Sequence, residues 1–179
     1  VKDIEYYEIL ENLMERWEYE TVEFKEAKSN YDTDKIGRYF SALSNEANLK
    51  QQQYGWLIFG VSERDKIKHV VGTAYKQGEQ SLLEKFKYEI SRDITNGMTF
   101  YEIKEIFPIV NGKRLRVLMF KVPAAATGIP TDWRTNYYER SGESLVPLKQ
   151  YKIDAIRSQE RKDWSKQVIE VATIDNLDK

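Results

Sequence analysis

The sequence predicts a single α+β domain, a mixed sheet with helices packed on it. Three observations carry that reading. Apolar residues recur at spacings of three and four in separate segments, glycines bound a run of apolar residues of strand length, and Asn111-Gly112 sits between two apolar stretches as a hairpin turn. A chain of 179 residues can bury a core without staples, and its length fits one domain.

Taken in order, Ile4, Tyr7, Leu10, Leu13, Met14 and Trp17 mark an amphipathic helix of about four turns. Thr21 to Ala27 then changes to period two, so Val22 and Phe24 face one side and Glu23 and Lys25 the other; this is a half-buried strand with a charged outer face. Asp32-Thr33-Asp34 supplies N-cap candidates for a helix through Ile36, Phe40, Leu43 and Ala47, and the polar stretch Asn45 to Tyr54 reads as a loop. Gly55 to Val61 is a central strand buried on both faces, and His69 to Gly72 a shorter strand. Leu82, Leu83, Phe86, Ile90 and Ile94 form a third helix, ended near Asn96-Gly97. Met98 to Val110 and Leu115 to Val122 pair across Asn111-Gly112, with Pro108 disturbing the end of the first strand. Residues 124–132 are a loop, Asn136 to Arg140 a short strand, and a helix surrounds Ile153 and Ile156. The domain is expected to span 1–162, with 163–179 a C-terminal helix or linker toward a further region.

Composition closes several routes. With no cysteine, disulfide frameworks, thiolate zinc sites and thiol nucleophiles are excluded. The one histidine, His69, leaves Ser-His triads and histidine-built zinc centres short of their parts. No apolar run reaches the ~18 residues of a membrane helix, and Lys2, Asp3 and Glu5 are not followed by the apolar core of a signal peptide. The expected compartment is cytoplasmic.

The net charge of −1 conceals an uneven distribution. Residues 1–33 carry ten acids and four bases, whereas 111–162 carry eleven bases and five acids. The basic stretch suits a phosphate backbone, since each neutralised phosphate releases counterions. Trp133, Tyr137 and Tyr138 lie among Arg134 and Arg140, where they serve either as stacking platforms for unpaired bases or as core. Arg140 offers a forked donor beside Ser141 and Gly142, whose missing side chain allows close approach; it binds phosphate or pairs with a nearby acid. Arg116, Lys149 and Lys152 complete the candidate nucleic-acid-binding set with Arg134, Arg140 and Ser141.

Glu18-Tyr19-Glu20-Thr21-Val22-Glu23-Phe24-Lys25 resembles the opening motif of the Schlafen-type AlbA domain, a family described as DNA-binding and as divergent AAA. The later landmarks follow in order: Ser41-Ala42-Leu43-Ser44-Asn45, Leu57-Ile58-Phe59-Gly60-Val61, Val71-Gly72 and Tyr138-Glu139-Arg140-Ser141-Gly142-Glu143-Ser144. The chain departs from the family in keeping only Gly55 of a Gly-Gly turn. The resemblance implies a nucleic-acid-binding module, DNA or RNA, at the N-terminus of a bacterial transcription-regulator-like protein. Binding alone would need no cofactor.

By resemblance to the nuclease-active Schlafens, the alternative is a metal-dependent endoribonuclease. Glu18, Glu23 and Glu63 would hold Mg²⁺ or Mn²⁺, with Lys25 at the phosphate. Glu18, Glu20 and Glu23 read equally as a solvated acidic edge between a helix and a strand, and the spacing of five between Glu18 and Glu23 requires the chain to bend near Glu20 if both are to share a face. No Gly-x-x-x-x-Gly-Lys-Ser/Thr run exists, so a P-loop is unsupported. A third reading is an interaction or homodimerisation module, suggested by Trp164, Val168, Ile169 and Val171.

Overall fold

The glycine-bounded apolar run forms the strand on which the fold is built. The computed structural model describes residues 2–15, 20–78 and 80–159. In it β2 (Tyr54–Phe59) pairs in parallel with β1 (Val22–Lys25) and antiparallel with β8 (Val117–Pro123), and β5 (Glu102–Ile106) closes the order β1-β2-β8-β5. Five of the six β2 residues are buried because both faces are covered. Leu57 and Phe59 join one core with Ile36, Phe40 and Leu43 of α2 (Thr33–Leu49) and Leu83, Phe86 and Ile90 of α3 (Gln80–Arg92). Trp56 and Ile58 join the other with Tyr6 and Leu10 of α1 (Lys2–Glu15). Period-two alternation in one strand thus feeds two separate cores.

Two hairpins leave the same end of this sheet. One is β3 (Val61–Arg64) with β4 (Ile67–Val70), the other β6 (Ile109–Val110) with β7 (Lys113–Arg114). Asn111 and Gly112 adopt φ of 49° and 74°, the left-handed pair a type I′ turn requires. The long hairpin expected over 98–122 is split at Pro108, which has no N–H for the ladder; its carbonyl accepts from Leu115 N at 2.9 Å. A further antiparallel sheet, β9 (Asp132–Trp133), β10 (Asn136–Ser141) and β11 (Ser144–Pro147), packs on α2, and the helix α4 covers 150–159. No described helix is long and apolar enough to cross a membrane.

Three expectations need correction. Ile4 is 64% exposed, and Tyr6 rather than Ile4 completes the buried stripe of α1; Trp17 and the segment 163–179 lie outside the described residues. The polar stretch from Asn45 is helical through Leu49, because its polar side chains are buried against polar partners rather than solvated. The outer face of β1 is not open to solvent, since Glu23 is only 4% exposed.

Trp133, itself 1% exposed, lies flat on Gly37 of α2, where an added Cβ would stand 2.1 Å from the indole. Helix propensity favours Ala over Gly by about 1 kcal/mol, while forcing a methyl into a filled site costs about 1–3 kcal/mol. Overpacking wins at this separation. Gly37→Ala is expected to lower the unfolding free energy in urea titration by about 1–2 kcal/mol net, and a gain in stability would show that the indole yields.

Candidate nucleic-acid interface

The segment Ser41-Ala42-Leu43-Ser44-Asn45 places the site. Asn45 clamps Thr131 with both ends of its amide, accepting from Thr131 N at 2.8 Å and donating to Thr131 O at 2.9 Å. Ser41 Oγ donates to Thr131 O at 2.7 Å and accepts from Tyr138 N at 3.1 Å. Asn48 donates to Ala125 O at 2.8 Å. These buried groups are satisfied by one another, and they fix the loop 124–131 and the start of β10 against α2.

β10 then carries Arg140 over β1. Each oxygen of Glu23 has its own cation: Oε1 is 2.5 Å from Lys25 Nζ, and Oε2 is 2.6 Å from Arg140 Nε. Arg140 also donates to the Val22 carbonyl and, at 3.3 Å, to Gly142 O. The Glu23 and Arg140 side chains are 5% and 12% exposed, so this is a desolvated ion pair, held by charge at close range without an aligned hydrogen bond between Nε and Oε2. Burial alone would push Lys25 down; the Glu23 carboxylate, and then Tyr39, overcome that and hold its pKa above the ordinary lysine value.

Beside this group lies a cleft of about 380 Å³ between α2, α4 and the β10–β11 turn. Arg140, Ser141, Lys149 and Lys152 all line it, joined by Lys50, Glu20, Glu46, Glu139 and Tyr151. Lys152 Nζ sits 2.5 Å from Glu46 Oε1 and 3.3 Å from Glu139 Oε2. Burial pushes the Glu46 carboxyl up against the opposing pull of Lys152. Burial would lower Lys152, but its hydrogen bond to Glu46 and the charges of Glu46 and Glu139 raise it. At the rim, Lys50 pairs with Glu20 at 2.7 Å, and that hydrogen bond lowers the Glu20 pKa. Lys50 and Lys149 are 43% and 58% exposed, and Tyr151 is 64% exposed. Four of the six residues read from sequence therefore converge. Sequence reasoning missed Lys50 and Tyr151, which reach the cleft only once α2 runs on to residue 49 and α4 folds back on it.

The other two basic residues are elsewhere. Arg116 is 6% exposed, paired with Glu105 and donating to the carbonyls of Thr73 and Tyr75 at 3.2 and 2.8 Å. Its guanidinium ties the strand ends together and faces no surface. Arg134 straps the β9–β10 turn to Asp93 at 3.0 Å and Asp34 at 3.4 Å and covers Trp133. Asp34 is held low chiefly by the hydrogen bond from Trp133, with Arg38 and Arg134 adding to it.

Of the three candidate metal-binding acids, Glu23 and Glu63 lie within the described residues. Glu18 lies outside the described residues. Glu23 already spends both oxygens on cations. Glu63 is exposed on β3 opposite Lys68, whose ammonium lies over Phe24, on the side of β1 away from Glu23. Among the described residues no three acidic or imidazole side chains are grouped to hold a metal ion.

The family model described as Schlafen, AlbA_2 matches residues 18–149. No curated protein matches the sequence. The chain is similar to the crystal structure of the DIP2311 protein from Corynebacterium diphtheriae, with 19% identity and a TM-score of 0.51 over 78% of this chain and 24% of that one. That likeness extends to the fold, and this chain spans about a quarter of that protein's length.

Two outcomes follow from the buried group. Breaking a buried ion pair by removing one partner costs about 3–5 kcal/mol, so Glu23→Gln and Arg140→Met should each destabilise strongly. A double-mutant cycle by denaturant unfolding should return a coupling of about 1–3 kcal/mol; zero coupling would mean the pair is not made. For pH, Lys25 has a raised folded pKa, so its contribution is whole below the unfolded lysine value of about 10.4 and is lost as pH climbs beyond it. Burial raises the Tyr31 and Tyr75 pKa values as well, giving the same sign. Melting temperature should fall on the alkaline side of pH ~10, and Lys25→Met should make that fall shallower.

Proposed function

The chain belongs to the Schlafen AlbA_2 family, and from that premise we propose that it is a nucleic-acid-binding module whose phosphate contacts lie in the cleft of Arg140, Ser141, Lys149 and Lys152. One observation carries the reading: four residues drawn from a basic stretch of sequence meet in one cleft, with two exposed cations and an exposed ring at its rim. The buried pair of cations has a different task from the exposed pair. Arg140 and Lys152 hold the walls through Glu23, Glu46 and Glu139. Lys50 and Lys149 are the groups that can turn to a phosphate: Lys50 pairs with the half-exposed Glu20, a solvent-screened surface pair worth only about 0–1 kcal/mol, and Lys149 stands 3.8 Å from Glu139, which keeps Lys152 as a partner. Such a module fits a larger transcription-regulator-like protein, in which another region would select the sequence.

Electrophoretic shift of tRNA and of single- and double-stranded DNA tests the reading. Lys50→Glu with Lys149→Glu should weaken binding on every substrate and reduce the slope of log affinity against log salt by about 2, near one unit per phosphate contact. No shift at low salt with any of the three would overturn the proposal. Adding Mn²⁺ or Mg²⁺ to a structured RNA in the same assay asks about the nuclease reading, for which cleavage abolished by Glu23→Gln, in protein shown to be folded, is the supporting outcome.

A further inference from the structure

A second cleft, of about 430 Å³, lies on the far side of the turn that joins α2 to β2 and is lined by Gln53, Tyr54, Tyr101, Glu102, Lys121 and Ala124. Its chemistry differs from that of the first. Tyr101, in the bend that leads into β5, is 62% exposed. Tyr54 is held edge-on to Trp56 at 5.5 Å, and Lys121 Nζ sits 4.0 Å from the Tyr54 ring centroid. Glu102 accepts a hydrogen bond from the Tyr6 hydroxyl, which holds its carboxylate in place on the wall of the cleft. An accessible ring beside a fixed acceptor, an amide and an ammonium is the donor and acceptor set that takes a planar heterocycle by its face and its edge.

The two clefts are neighbours. Lys50 lines the first and Gln53 the second, and three residues of chain span at most about 10 Å. A stacked strand rises about 3.4 Å per nucleotide, so roughly three nucleotides cover the chain from Lys50 to Gln53, and a longer strand is needed to reach Tyr101 on the far wall. A duplex keeps its base faces stacked inside and cannot offer one to Tyr101; an unpaired strand can.

We propose that the Tyr101 cleft is a base-stacking subsite and that the nucleic acid bound by this module is single-stranded, passing from the lysines of the first cleft over residues 51–53 to Tyr101. The inference rests on the nucleic-acid reading above. Tyr101 supplies the stacking face, Gln53 and Glu102 meet the base edge, and Lys121 stiffens Tyr54 as the opposite wall.

The test is fluorescence anisotropy with a labelled single-stranded RNA of roughly 12 nucleotides and the duplex of the same sequence, a length within the usual site size. Tyr101→Ala is expected to weaken single-strand binding at least about fivefold, the low end of what one stacked base contributes, while duplex binding and the salt slope stay unchanged. Tyr101→Phe keeps the ring and should bind as the parent does, and both variants should melt at the parent's temperature because the side chain is exposed. Equal single-strand affinity for Tyr101→Ala, or an equal loss on strand and duplex, overturns the subsite. If Lys50→Glu with Lys149→Glu weakens binding and Tyr101→Ala does not, the phosphate cleft stands and the subsite alone falls. If the parent binds neither oligonucleotide, both fall.

Discussion

The carboxylate of Glu23, enclosed between Lys25 and Arg140, is the constraint on which the arrangement of this domain depends. A carboxylate this deeply buried cannot be left without partners, because the desolvation penalty of a lone ion exceeds what packing returns. Lys25 lies two residues away on the same strand and comes with β1. Arg140 comes from the other end of the sequence, so satisfying Glu23 also fixes where β10 must lie. The guanidinium suits this position better than an ammonium would. While Nε meets Glu23, the terminal nitrogens reach the Val22 and Gly142 carbonyls, and only a planar fork serves an edge strand, a carboxylate and a turn together. The cleft beside it is a consequence: its wall at Arg140 cannot move without stranding Glu23.

This explains why residues that look like two sites in the sequence form one structural unit. Glu23 appears among acids and Arg140 among bases, and each invites its own ligand. Period-two alternation correctly separates Glu23 and Lys25 from Val22 and Phe24, but it states only that a charged face exists. What covers that face depends on a contact across more than a hundred residues, which no local pattern encodes. The same limit applies at Asn45 to Leu49. Ser, Asn and Glu in succession resemble a solvated loop, whereas here Asn45 holds Thr131 and Glu46 holds Lys152, so polarity marks a buried helix face. The central strand, the three main helices and the Asn111-Gly112 turn were legible because each is decided locally, by burial on both faces, by helical spacing, or by the φ values a turn demands. The ordered motif landmarks made the family legible too. The cleft became visible only in part: its basic residues lie close together in sequence, while Lys50 arrives through the helix extension that the polarity obscured.

The distribution of charge along the chain suggested an acidic surface and a basic one. In the folded protein they intermingle instead. Glu23 meets Arg140, Glu20 meets Lys50, and Glu46 and Glu139 share Lys152. The cleft therefore presents little net charge, and its long-range pull on a polyanion is weak at physiological salt, where fields between exposed charges fade within about 8 Å. A site of this kind does not gather nucleic acid by field strength. Arg140 and Lys152 are already held by buried carboxylates, which leaves the exposed Lys50 and Lys149 as the cations that can turn from Glu20 and Glu139 toward a phosphate. Affinity must then draw on contacts that do not scale with charge. On the proposed reading the exposed ring of Tyr101 would supply such a contact, and stacking on it would favour a ligand whose bases are free over one whose bases are paired.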